Sequence, residues 1–89
     1  MNNVILRKLT ATTTWQPLSD APLIGTVSVS TPPSNLNNVL FRAVAEPGHE
    51  VPWVPGEWHQ MHRVDLSTIQ IKAASGGGSD IVTVVGGTW

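Results

Sequence analysis

The amino-acid sequence predicts an all-β protein, a small antiparallel β-sandwich or barrel of jelly-roll-like form. Three observations predict it. Apolar and polar residues alternate with a period of two in several short runs. Turn-forming residues separate those runs at short intervals. No window carries an apolar repeat of 3.6 residues, and seven Pro and eight Gly in 89 residues interrupt most helices. No helix longer than two turns is expected.

The elements follow in order. Val4-Ile5-Leu6-Arg7-Lys8-Leu9 reads as a first strand. Thr26-Val27-Ser28-Val29-Ser30 alternates cleanly, as a strand with one wet face does. Thr31-Pro32-Pro33-Ser34-Asn35 and Asn37-Asn38 bound the next connection. Val39-Leu40-Phe41-Arg42-Ala43-Val44 is β-rich, with burial on both sides open at its start. Glu46-Pro47-Gly48-His49 and Pro55-Gly56 are tight turns, with Pro-Gly suited to the centre of a type II turn. Val64-Asp65-Leu66-Ser67 reads as a corner where Asp65 or Ser67 bonds nearby backbone N–H groups. Thr68-Ile69-Gln70-Ile71-Lys72 alternates with both Ile inward, and Ile81-Val82-Thr83-Val84-Val85 is a last strand. The Gly-rich run Ser75-Gly76-Gly77-Gly78-Ser79-Asp80 between them reads as a hairpin loop. The expected core is Val27, Val29, Phe41, Ile69, Ile71, Val82 and Val84. With no internal repeat and no linker, residues 1–89 read as one domain.

A chain of this length buries only about 60–65% of its unfolded surface, so its core is thin. There is no Cys to staple it and only three His to hold a metal. Oligomerisation is the remaining common route. Charged residues make up only 12% of the chain, about half the usual share, so the surface is Thr, Ser, Asn and Gly or is hidden against a partner. The net charge is −1 and the basic residues are scattered, which argues against nucleic acid as a partner. No apolar run approaches the roughly 20 residues of a membrane helix. The N-terminal Arg7-Lys8 pair follows its apolar run, the reverse of a signal peptide, so synthesis and folding in a cytoplasm are expected.

Candidate chemistry is sparse. His59 and His62 stand three apart, a spacing that meets on a helix but sends side chains to opposite faces of a strand. His49 and Glu57 join them only through tertiary folding. Asp20, Glu46, Glu50, Glu57, Asp65 and Asp80 lie mostly beside Pro or Gly, and nothing places two of them in one cleft. There is no nucleophile elbow and no phosphate loop. The expectation is therefore no enzyme, no metal and no cofactor. The distinctive residue is Trp: four of them, against one Phe and no Tyr. Trp15, Trp53, Trp58 and Trp89 are the candidate interface or binding residues. Trp anchors protein interfaces, and an exposed indole also stacks on sugar rings.

One set of segments resembles a known class. It comprises Pro33-Ser34-Asn35, Val39-Leu40-Phe41-Arg42, Val51-Pro52-Trp53-Val54-Pro55-Gly56-Glu57, Val64 to Lys72, and Asp80-Ile81-Val82-Thr83-Val84-Val85-Gly86. Together these resemble small β-sandwich virion proteins of tailed bacteriophages, of the head decoration, cement or fibre-base type. The resemblance spans about two-thirds of the chain and leaves out the N-terminal third. It implies a homo-oligomer, commonly a homotrimer, bound to the major capsid protein or another virion protein. It also implies residence in the virion after assembly in the host bacterial cytoplasm. The alternative is a carbohydrate-binding module or adhesin that uses exposed Trp.

Overall fold

A computed structural model describes residues 3–74 and 80–88. The Gly-rich loop, apart from Asp80, and Trp89 lie outside the described residues. Among the described residues eight strands follow one another: β1 (Asn3–Thr10), β2 (Gln16–Pro17), β3 (Ile24–Ser30), β4 (Val39–Ala43), β5 (Val51–Trp53), β6 (Trp58–Asp65), β7 (Ile69–Ala73) and β8 (Ile81–Thr88). A single 3-10 turn, Leu66–Thr68, separates β6 from β7. A front sheet has the order β1-β8-β3-β6 and a back sheet β2-β7-β4-β5.

Every pairing is antiparallel. β1 pairs with β8, β2 with β7, β3 with β6 and β4 with β5. The second half of the chain thus runs back along the first, and this long hairpin folds over into two sheets. That is the jelly-roll arrangement.

The period-2 pattern decides which side chains enter the core. The front sheet contributes Ile5, Val27, Val29, Val82 and Val84; the back sheet contributes Val39, Phe41, Trp53, Ile71 and Ala73. Ala11, Leu18 and Leu66 come from the connections. Six of the seven expected core residues are buried, and Ile69 is half-buried against them. Gly86 makes room inside: a Cβ there overlaps the Thr26 carbonyl oxygen and stands 2.7 Å from Val27 Cα, so no larger residue lets β8 lie so close to β3.

Polar side chains tie the connections to the sheets. The Asn35 amide mimics a strand partner: its Nδ2 donates to the Ile81 carbonyl at 2.8 Å and its Oδ1 accepts from the Ile81 N–H at 2.9 Å. Buried Asp80 accepts from the Leu36 and Asn37 N–H groups at 2.8 and 3.2 Å. Asp65 caps the 3-10 turn, accepting from the Ser67 N–H and hydroxyl, and also accepts from Leu23 N–H on the neighbouring connection. The expected corner forms at Leu66–Thr68 with Asp65 bonding the Ser67 N–H, while Val64 and Asp65, expected outside any strand, end β6. No buried side-chain nitrogen or oxygen among the described residues lacks a hydrogen-bond partner.

Two local features differ from expectation. Gly56, with φ 87°, occupies a type II position, but Gly48 has no positive φ, so the Pro47-Gly48 turn is of another type. Residues 51–53 and 58–65, to which the sequence pattern assigns no strand, are edge strands. Edge strands carry polar residues or Pro because half of their backbone faces solvent.

Candidate interaction surface

The three described Trp do not form one surface. Trp53, expected at an interface, is instead a core residue with 5% exposure. Register explains this: Trp53 lies opposite Val39, whose side chain points inward. Its indole stacks on Phe41 with centroids 3.8 Å apart, and its edge meets the His59 ring. Trp15 is half-buried on the back sheet beneath two cations, the Arg42 guanidinium at 4.0 Å and the Lys72 ammonium at 5.1 Å from its ring. Arg42 is held in place by donating to Gln70 Oε1 at 2.8 Å. Trp58 alone of the described Trp is open, at 65% exposure, on the outer side of the front sheet. Trp53 and Trp58 therefore face opposite ways, and no paired Trp platform exists between them.

The outer side of the front sheet can be read row by row from its registers. One row runs Lys8, Thr83, Ser30, Trp58. The next runs Leu6, Val85, Ser28, Gln60. A third runs Val4, Gly87, Thr26, with His62 beyond. The β1–β8 side is apolar, with Val4 at 77%, Leu6 at 70% and Val85 at 53% exposure. The β3–β6 side is hydroxyl and amide, ending on the indole of Trp58. Beside Trp58 lies a shallow depression of about 520 Å³ lined by Ser28, Ser30, Pro32, Pro33 and Thr83. A second cleft of about 320 Å³ opens between the sheets, floored by Phe41 and Trp53 and bordered by Val51, Met61 and Ile69.

Glu57, His59 and Asp65 serve local structure. His59 Nε2 and Glu57 Oε2 are 2.6 Å apart, and Glu57 Oε1 accepts from the Val54 N–H at 3.0 Å. The bond from His59, and then that from Val54, hold the Glu57 carboxyl below its ordinary range. The Ser67 hydroxyl, followed by the Leu23 and Ser67 N–H groups, does the same for Asp65. His62 turns to Thr26, away from His59. No group of three or more His, Asp or Glu among the described residues converges as metal ligands do.

The sequence reading overlooked Val4, Leu6 and Val85. A signal for β1 was present: Val4, Ile5 and Leu6 are consecutive, and a strand with one inward face cannot bury all three. Comparison with family models, curated proteins and solved structures finds no match for this chain.

Proposed function

We propose that this protein is a non-catalytic structural subunit that assembles with copies of itself and onto a larger protein lattice, the lattice being the capsid or an adjoining part of a tailed-phage virion. The observation that carries the reading is the exposed apolar side of the front sheet, where Val4, Leu6 and Val85 stand beside one another. Soluble monomers seldom leave such residues contiguous and uncovered. The low share of charged residues, 12%, fits a surface that is hidden in use. The jelly roll supports it by analogy, since shells are commonly built from this fold. The test is the native mass of the purified chain across micromolar concentrations, followed by binding to capsids stripped of their accessory proteins. A homo-oligomer that binds them is expected, and a monomer at every concentration overturns self-assembly.

Trp58 favours a second reading, a carbohydrate-binding surface. Its open indole adjoins a shallow, mostly apolar depression that Ser28, Ser30 and Thr83 border, a setting in which a sugar ring can stack on the indole. Binding of soluble glycans that quenches Trp58 fluorescence, in a chain that stays monomeric, replaces the first reading with this one.

A further inference from the structure

We propose that the free edge of β1 pairs antiparallel with β1 of a second copy, centred on Ile5, so that two front sheets become one sheet of eight strands. The inference rests on the self-assembly reading above and gives it a contact.

The four sheet edges are treated differently. In the back sheet β2 has two residues, and β5 has three including Pro52. Short strands and Pro are the usual protections of an open edge. In the front sheet β6 is eight residues long but bulged. Its register with β3 shifts between Gly25 and Val27, and Arg63 takes a φ of 52°. A bulge breaks the row of N–H and C=O groups that another strand would need. β1 is also eight residues long, pairs without a register shift and contains no Pro. Its N-terminal half carries none of the devices that guard the other three edges.

The backbone of that edge is set for pairing. The Ala11 N–H donates to the Asp80 carbonyl at 2.9 Å, one step beyond the Thr10–Ile81 pair. Hydrogen-bonded pairs alternate along an antiparallel ladder. Odd-numbered residues of β1 therefore bond to β8, and the N–H and C=O groups of Val4, Leu6 and Lys8 point outward, whereas the Thr10 carbonyl already accepts from Gln16 Nε2 at 2.7 Å.

Side chains choose the register. With Ile5 at the two-fold axis, Val4 lies opposite Leu6 of the second copy, and each Leu6 is flanked on its other side by Val85 of its own chain. Arg7 falls opposite Asn3, and the cations stay clear of the apolar pairs. Centring on Leu6 instead sets Lys8 against Val4 and Arg7 against Ile5. Centring on Arg7 sets two guanidinium groups opposite each other, which is destabilising. A copy offering β6 meets the bulge at Arg63. The contact is thus isologous and closes on two subunits.

The chain contains no Cys, so introduced thiols report the contact directly. Directly opposed, hydrogen-bonded residues have Cα atoms about 5.5 Å apart, within the span a disulfide bridges. Mixing V4C with L6C under mild oxidation is expected to give a covalent dimer in much higher yield than either variant alone. Crosslinking of L6C alone at equal or higher yield moves the axis to Leu6 and overturns the register. An oligomer that gives no crosslink, or whose mass is three chains, overturns the edge pairing and leaves self-assembly standing. A monomeric wild-type chain removes both. As a second probe, Leu6→Pro deletes an N–H that points away from β8. It is expected to weaken dimerisation at least tenfold while the circular dichroism stays β-type. Leu6→Lys serves where the Pro variant fails to fold, with the same expected loss of dimer. Unchanged dimerisation in a folded variant overturns the proposal.

Discussion

Replacing Trp53 and Trp58 separately by Ala asks whether one indole holds the core while the other does not. A Trp side chain carries roughly 150–250 Å², which at about 25 cal/mol per Å² corresponds to ~4–6 kcal/mol for complete burial. Trp53 is 5% exposed, so nearly all of this applies. Residual compaction of the unfolded chain trims the figure, and a loss of about 3–5 kcal/mol is expected for Trp53→Ala, in line with other buried Trp truncations. An 89-residue domain has only about 4–13 kcal/mol in total, so this variant stands near the edge of folding. Trp58 is 65% exposed, leaving roughly a third of the indole to lose. Its replacement is expected to cost about 1 kcal/mol. Urea titration at fixed protein concentration measures both, with the slope checked for constancy. Trp53→Phe is expected to recover most of the loss by keeping an aromatic ring against Phe41. Equal midpoints for the two Ala variants, or a Trp53→Ala loss below about 1 kcal/mol, would refute the burial reasoning.

Three further outcomes are expected. Asp80→Ala strands the Leu36 and Asn37 N–H groups and is expected to cost about 2–3 kcal/mol by urea titration, whereas Asp80→Asn keeps an accepting oxygen and loses less. Glu57 and Asp65 have folded values held below the ordinary carboxylate range, so on acidification the unfolded chain takes up protons first. Their contribution is complete above about pH 4.5 and declines as pH falls through the lowered folded values, a slope that Asp65→Asn is expected to flatten in urea midpoints measured against pH. Gly86→Ala drives a methyl into backbone atoms of Thr26 and Val27, which cannot rotate aside. It is expected to lower the thermal midpoint by more than 10 °C or abolish folding, and a near-native melt would show that β3 and β8 can separate at small cost.

Alternation revealed the strands returned by the structure at 24–30, 69–73 and 81–88, and β-rich apolar composition those at 3–10 and 39–43. The strands that neither signal revealed are those where alternation has no reason to appear. β2 is too short to hold a period. β5 contains Pro52, which reads as a turn but sits without penalty on an outer edge. In β6 the bulge beside His62 and Arg63 shifts the phase midway, so neither parity is consistently apolar. The separation of Trp53 from Trp58 was equally hidden. Five residues with a Pro-Gly turn between them fix no relative orientation; the pairing of Trp53 with Val39 and of Trp58 with Ser30 fixes it, and both pairings are long-range.

Five residues within the segments that carry the phage resemblance share one kind of work. Asn35 pairs with Ile81, Gly56 turns the chain into β6, and Asp65 caps the corner before β7. Asp80 gathers the 36–37 connection, and Gly86 lets β8 approach β3. All five set connections or sheet spacing, and none of them belongs to the exposed apolar patch. A pattern of this kind specifies a jelly roll before it specifies a partner, because the outward residues can change without disturbing any of those bonds. Val4, Leu6, Val85 and Trp58 are the complement: each is exposed, each stands on the front sheet, and none closes a turn. On the proposed reading, what the scaffold meets is set by the outward parity of β1, β8 and β6. On the same reading, substitutions at Val4, Leu6, Val85 and Trp58 are expected to change binding with little effect on folding, whereas substitutions at Asn35, Gly56, Asp65, Asp80 or Gly86 perturb folding first.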